Sequence, residues 1–174
     1  MTSTLTPRFW FAARTRYQQE RLVCDRLAAL GIEYYAPFRT EQRQWSDRVK
    51  TIEVPLIPSL VFLRAGYEEA SSLLSDSQLP IRYMQNFATN ERLVVPDRQM
   101  EQFQRITRLY AEGLTLFNDQ LKPGCRVRVL EGAFKGIEGE LIRIKGHKRV
   151  VVRLDGLFAM ATTYIPGEYL EQIG

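Results

Sequence analysis

The chain has 174 residues, 45% of them apolar and 25% charged, with a net charge of +4. That is enough apolar material for one or two packed domains, and the positive balance favours an acidic partner. Two cysteines and one histidine exclude a four-ligand Cys/His zinc site and a disulfide framework. No apolar run approaches the roughly 20 residues that span a membrane, and the N-terminus lacks the apolar core of a signal peptide. A soluble protein of the reducing cytoplasm, with no membrane contact, is expected.

Residues 1–7 are polar and read as a loose tail. Phe9-Trp10-Phe11-Ala12-Ala13 reads as a short strand within 8–13. A helix is expected over 17–30, because Tyr17, Val23, Cys24, Leu27 and Leu30 recur at helical spacing, and Gly31 stops it. Residues 33–37 form a second predicted strand. Residues 39–50 are polar and basic, with Arg39, Arg43, Arg48 and Lys50 around a lone Trp45, and read as a flexible hairpin or loop. Strands follow over 51–55 and 60–64, joined by Leu56-Ile57-Pro58-Ser59. A short helix is predicted over 67–75 and a strand over 81–87. Pro96-Asp97 opens a long helix whose apolar stripe is Met100, Phe103, Ile106, Leu109 and Tyr110, and Gly113 ends it.

Residues 114–123 read as a linker. Residues 126–130 then alternate polar and apolar, as a strand with one buried face does. Residues 131–136 set two glycines around Phe134 and Lys135, which suits a tight turn. Strands are predicted over 138–145 and 148–154, with a turn at Gly146-His147. Val127, Val129, Ile142, Ile144, Val150 and Val152 can fill a small closed core, and Arg128, Arg143, Lys145, Lys148, Arg149 and Arg153 stay in water. Asp155-Gly156 marks a turn, residues 159–165 a further strand, and residues 169–173 close the chain. The order gives an α+β protein: an N-terminal sandwich on an antiparallel sheet, over 1–113, then a small β-barrel over 124–174.

The spacing V-x-V-x-x-G-x-F-x-G-x-x-G from Val127 to Gly139 resembles the KOW motif, an SH3-like barrel. Pro55-Leu56-Ile57-Pro58-Ser59-Leu60-Val61-Phe62 is similar to the P-L-F-P-G-Y-V-F signature of the NusG N-terminal (NGN) domain, and Phe9-Trp10-Phe11 sits at that domain's first aromatic strand. In that order, over about 8–110 and 121–173, the two motifs resemble the NusG family of transcription factors. Ile57, Ser59 and Leu60 depart from the family's Phe, Gly and Tyr, which is most similar to the specialised UpxY-type antiterminators.

The resemblance implies a transcription elongation and antitermination factor that binds the clamp helices of the largest RNA polymerase subunit. The contact would be an apolar patch of Ile57, Pro58, Leu60 and Phe62, with Tyr83, Met84 and Phe87 beside it. Leu60 and Phe62 read equally well as core strand residues. Leu157 and Phe158 lie where the family presents a Phe to termination factor Rho or to a small-subunit ribosomal protein, although Ala159-Met160 departs from the usual Gly-Arg, and a buried barrel residue reads equally well there.

Arg14 and Arg16 near the first helix, and Arg39, Arg43, Arg48 and Lys50 in the loop, suit the phosphates of non-template DNA or nascent RNA. Tyr17 and Trp45 could stack on an unpaired base. The alternative is a solvated face, since Glu20, Asp25, Glu41 and Asp47 are interleaved. Lys145, Lys148 and Arg149 surround a hairpin turn and read as plain surface, with contact to nucleic acid as the alternative. No nucleophile elbow or phosphate loop is present, and His147 has no partner motif beside it, so no enzyme, cofactor or metal is expected, and the protein is expected to be a monomer. Two rivals stand beside this reading: a general factor acting with Rho, and a ribosome- or RNA-binding protein that uses only the barrel.

Overall fold

A computed structural model of the chain describes residues 5–76, 78–110, 114–118 and 121–174. The expected stop at Gly113 and most of the tail over 1–7 lie outside the described residues. Contacts divide the chain into two compact units, Met1–Pro96 and Asp97–Gly174.

In the first unit the elements run β1 (Phe9–Thr15), α1 (Glu20–Ala29), β2 (Glu33–Tyr35), β3 (Phe38–Gln44), β4 (Val49–Pro55), β5 (Leu60–Ala65), α2 (Tyr67–Leu73), β6 (Ile81–Tyr83), β7 (Gln85–Asn86), β8 (Glu91–Arg92) and β9 (Val94–Val95). The main sheet is antiparallel in the order β2-β5-β1-β6, with β9 also pairing β1. One face carries Phe11, Ala13, Val61 and Leu63, and the buried sides of α1 (Val23, Cys24, Leu27) and α2 (Ala70, Leu73) close over it. Leu60 and Phe62 alternate to the opposite face and are buried as well, so β5 is buried on both sides.

Helix α1 begins at Glu20, three residues later than the spacing predicts, because Gln18 takes a left-handed φ of 59°. Tyr17 stays exposed. The helix ends as expected. Gly31 has φ 71°, its N–H donates to the Ala28 carbonyl at 3.0 Å, and the Ile32 N–H donates to the Leu27 carbonyl at 2.9 Å. These two bonds are a Schellman motif, and Ile32 and Leu27 bury together as its apolar contact.

The basic loop is a regular hairpin, with β3 and β4 paired from Phe38↔Pro55 to Gln44↔Val49. The strand expected over 81–87 is split at Met84, whose N–H donates to the Ala12 carbonyl while its carbonyl accepts from Leu93, both at 2.9 Å. The chain then turns out into the short β7–β8 hairpin.

The second unit has α3 (Asp97–Tyr110), β10 (Thr115–Asn118), β11 (Cys125–Val129), β12 (Glu138–Ile144), β13 (His147–Leu154), β14 (Phe158–Ala161) and β15 (Leu170–Gln172). The six strands form one antiparallel sheet in the order β10-β14-β13-β12-β11-β15. Part of the expected linker is therefore a strand: β10 pairs β14 from Thr115↔Ala161 to Asn118↔Phe158, and Phe117 packs on Val151, Ala159 and Ala161. The stripe of α3 is buried at Met100, Phe103 and Ile106, whereas Leu109 is exposed. The β12–β13 turn is Lys145-Gly146, one residue earlier than expected. Both have positive φ, 49° and 83°, as a two-residue type I′ turn requires. Gly139 is fixed by close approach, since a Cβ there would overlap the Val151 carbonyl oxygen.

Candidate functional site

The signature segment is clamped between β1 and α1. Ser59 takes φ 59°, the left-handed region in which the family pattern has glycine. Its N–H donates to Oε1 of the buried Glu20 at 2.7 Å, and its carbonyl accepts from the Thr15 N–H at 3.1 Å. These bonds fix the direction in which 56–58 leave the hairpin. Ile57, Leu60 and Phe62 are buried, at 7%, 4% and 1% exposure, and Pro58 is exposed.

Tyr83 also lies in the core. Its ring meets Phe11 at 5.7 Å, its hydroxyl donates to the Ala70 carbonyl at 2.9 Å, and burial pushes its pKa up to about 12. Four of the seven residues expected on an exposed apolar patch are thus not surface. For Leu60 and Phe62 the reason is visible in the sequence: Leu60-Val61-Phe62-Leu63 is a continuous apolar run, which strands buried on both faces show. Met84 is half-buried, and Phe87, in the β7–β8 turn, is 100% exposed.

The β3–β4 hairpin is tied to α1 at its base. The Arg21 guanidinium lies 4.0 Å over the Phe38 ring and pairs with Glu53. Further out, Arg39 and Arg43 reach Glu41 at 2.7 and 3.8 Å. Arg43 stands directly opposite Lys50, and the tip is a turn in which the Trp45 N–H donates to the Arg48 carbonyl at 2.8 Å. Trp45 is 56% exposed. A cavity of about 380 Å³ between the start of α1 and the hairpin brings together Tyr17, Arg21, Phe38, Arg39, Arg43 and Pro58. Arg14 and Arg16 are exposed at the end of β1 and are not among its lining residues; nor are Arg48 and Lys50.

In the second unit Phe158 takes the buried of its two readings. Phe158 is buried, with the Phe103 ring of α3 edge-on at 5.6 Å, and Leu157 is half-buried. Polar bonds hold α3 there. Arg98 reaches Glu138 at 2.7 Å, Gln102 Oε1 accepts from the Glu138 N–H at 3.0 Å, and Gln99 exchanges two bonds with Asp155 at 2.7 and 3.0 Å. Arg128 reaches Glu138 Oε1 through two nitrogens at 3.0 and 2.8 Å. The hydrogen bond from Arg98, then that from Arg128, holds the Glu138 carboxyl below the usual range. Sequence reading missed Glu138 and Glu20, because partners 36 to 40 residues away leave no local pattern. Among the described residues no helix is long and apolar enough to cross a membrane.

Residues 8–104 match the model of one protein family, NusG, described as transcription termination factor nusG. A solved structure of Thermotoga maritima NusG, reported for a domain interaction in that protein, aligns with 97% of this chain and 98% of its own at 18% identity and a TM-score of 0.48. No curated protein matches the chain.

Proposed function

Because the chain belongs to the NusG family of transcription elongation and termination factors, its match spanning 8–104, we propose that it rides on RNA polymerase and suppresses pausing and termination over long operons. NusG-family proteins are non-enzymatic and generally bind RNA polymerase. The family match carries the reading, since it takes in the signature segment and both hairpins of the first unit. The contact is to the clamp helices of the largest subunit. Phe87 is its anchor, as exposed aromatics commonly are at interfaces, with Met84 and Pro58 beside it. Ile57, Leu60, Phe62 and Tyr83 shape that surface from beneath.

The β3–β4 hairpin is the nucleic-acid contact, to non-template DNA or nascent RNA. Arg43 and Lys50 stand side by side there with Arg39, Arg48 and an exposed Trp45, and Arg14 and Arg16 add two exposed cations. The second unit contacts a further factor, Rho or a small-subunit ribosomal protein, through Leu157 and Phe158. For that, Phe158 must first be freed from Phe103. The Ile57, Ser59 and Leu60 departures support a specialised factor of UpxY type.

The test is capture of RNA polymerase by the full-length chain. The double variant Phe87→Glu, Met84→Glu should lower the captured polymerase at least tenfold with an unchanged melting curve. Undiminished capture would remove this patch. The family description names termination, so the same preparations should be run with Rho present. Earlier Rho-dependent stops would replace antitermination by the general role.

A further inference from the structure

The β7–β8 hairpin carries Phe87 out into solvent, yet its ladder is only two residue pairs, Gln85↔Arg92 and Asn86↔Glu91. A two-stranded hairpin is marginal in water by itself. Its turn is tightened locally. The Asn86 carbonyl accepts from the Asn90 N–H at 2.7 Å, Asn86 Oδ1 accepts from the Ala88 N–H at 2.9 Å, and Asn90 takes a left-handed φ of 57°. Arg92 then ties the hairpin to α2. Its Nη2 donates to Ser71 Oγ at 3.0 Å, its Nη1 reaches the Tyr67 carbonyl at 3.4 Å, and its guanidinium lies 4.9 Å over the ring of the buried Tyr83. The Ser71 hydroxyl in turn donates to the Tyr67 carbonyl at 3.0 Å, which leaves its lone pairs for Arg92.

We propose that Arg92 is the positioning residue for polymerase docking, which rests on the reading of Phe87 as the anchor. Arg92 seats the hairpin on α2 and so fixes the direction in which Phe87 is presented. Phe87 is fully exposed, so no packing of its own ring fixes that direction. An anchor already held in its bound orientation loses less conformational freedom on docking, and the affinity gains accordingly. The chemistry calls for arginine. A planar guanidinium bonds two acceptors and stacks on a ring at once, whereas the compact ammonium of lysine cannot serve all three. The guanidinium is turned to Ser71, Tyr67 and Tyr83, so Arg92 acts through Phe87 and not by touching polymerase.

The experiment titrates purified RNA polymerase with the full-length chain and, in parallel, follows amide exchange of the free protein by NMR. Arg92→Met keeps the apolar stem and removes the donors. It should weaken binding about fivefold, and Ser71→Ala about threefold, as the loss of one or two hydrogen bonds does. Arg92→Lys should recover only part of that loss. In Arg92→Met and in Ser71→Ala the Asn90 amide should exchange faster than in the native protein, because the hairpin opens more readily. On a Phe87→Glu background, Arg92→Met should cause no further loss of affinity. Native affinity in Arg92→Met and Ser71→Ala, with Phe87→Glu still impaired, overturns the positioning role and leaves the anchor standing. Full recovery in Arg92→Lys also overturns it, since the charge alone then suffices. So does unaltered Asn90 exchange in both variants, whatever polymerase does. Native affinity in Phe87→Glu removes the anchor itself, and the positioning role with it.

Discussion

Ser59 holds a left-handed φ of 59° although its Cβ disfavours that region, and the buried Glu20 carboxylate holds its N–H at 2.7 Å. Relief of the Cβ strain outweighs the greater freedom of an unfolded glycine, so Ser59→Gly should stabilise the protein by about 0.5–1 kcal/mol in urea unfolding. Glu20→Ala should cost about 1–3 kcal/mol in the same measurement, because it leaves a part-buried N–H without its acceptor. The two cysteines differ in the same local terms. Burial pushes the Cys24 thiol up to about 11, whereas Cys125 is exposed. Native protein at neutral pH should take up one equivalent of iodoacetamide, at Cys125, and denatured protein two. The departure of Ser59 from glycine was legible in the sequence, because the signature fixes its position. Glu20 was not, because its partner lies 39 residues on.

Elements were legible where local chemistry decides them. Gly31 ends α1 as its backbone freedom requires, and Pro96-Asp97 opens α3. Strand β10 was missed because its pairing to β14 is non-local, and Leu116-Phe117 is too short a run to signal a strand alone. The seat of α3 on the sheet was also invisible, since it depends on Phe103 meeting Phe158 and on Glu138 meeting Arg98. That seat should respond to pH. Glu138 is held below the usual carboxylate range, so its contribution is fully present above that range and is lost as the pH falls through its lowered value. The melting temperature of Glu138→Gln should therefore fall less steeply on acidification than that of the native protein. Gly139→Ala should be more damaging than an ordinary surface change, because the new methyl overlaps the Val151 carbonyl oxygen. The expected outcome is a loss of about 1–3 kcal/mol, typical of overpacking.

At the scale of the whole molecule, the family match over 8–104 takes in the signature segment and Phe9-Trp10-Phe11, and the α+β class follows from the order of strands and helices. The boundary between units did not follow. Sequence reading ends the first domain at 113, and the family match runs to 104, but contacts divide the chain between Pro96 and Asp97. The helix α3 straddles that difference, and it covers the residue through which the second unit is proposed to meet its partner. Freeing Phe158 by Phe103→Ala should strengthen binding of that partner while lowering overall stability by about 3–5 kcal/mol.

The most direct test of the account is run-on transcription by purified RNA polymerase across a terminator, with and without the full-length protein. Increased read-through, lost in the Phe87→Glu, Met84→Glu variant, is the predicted result. Unchanged read-through from a polymerase that the protein fails to bind would contradict it.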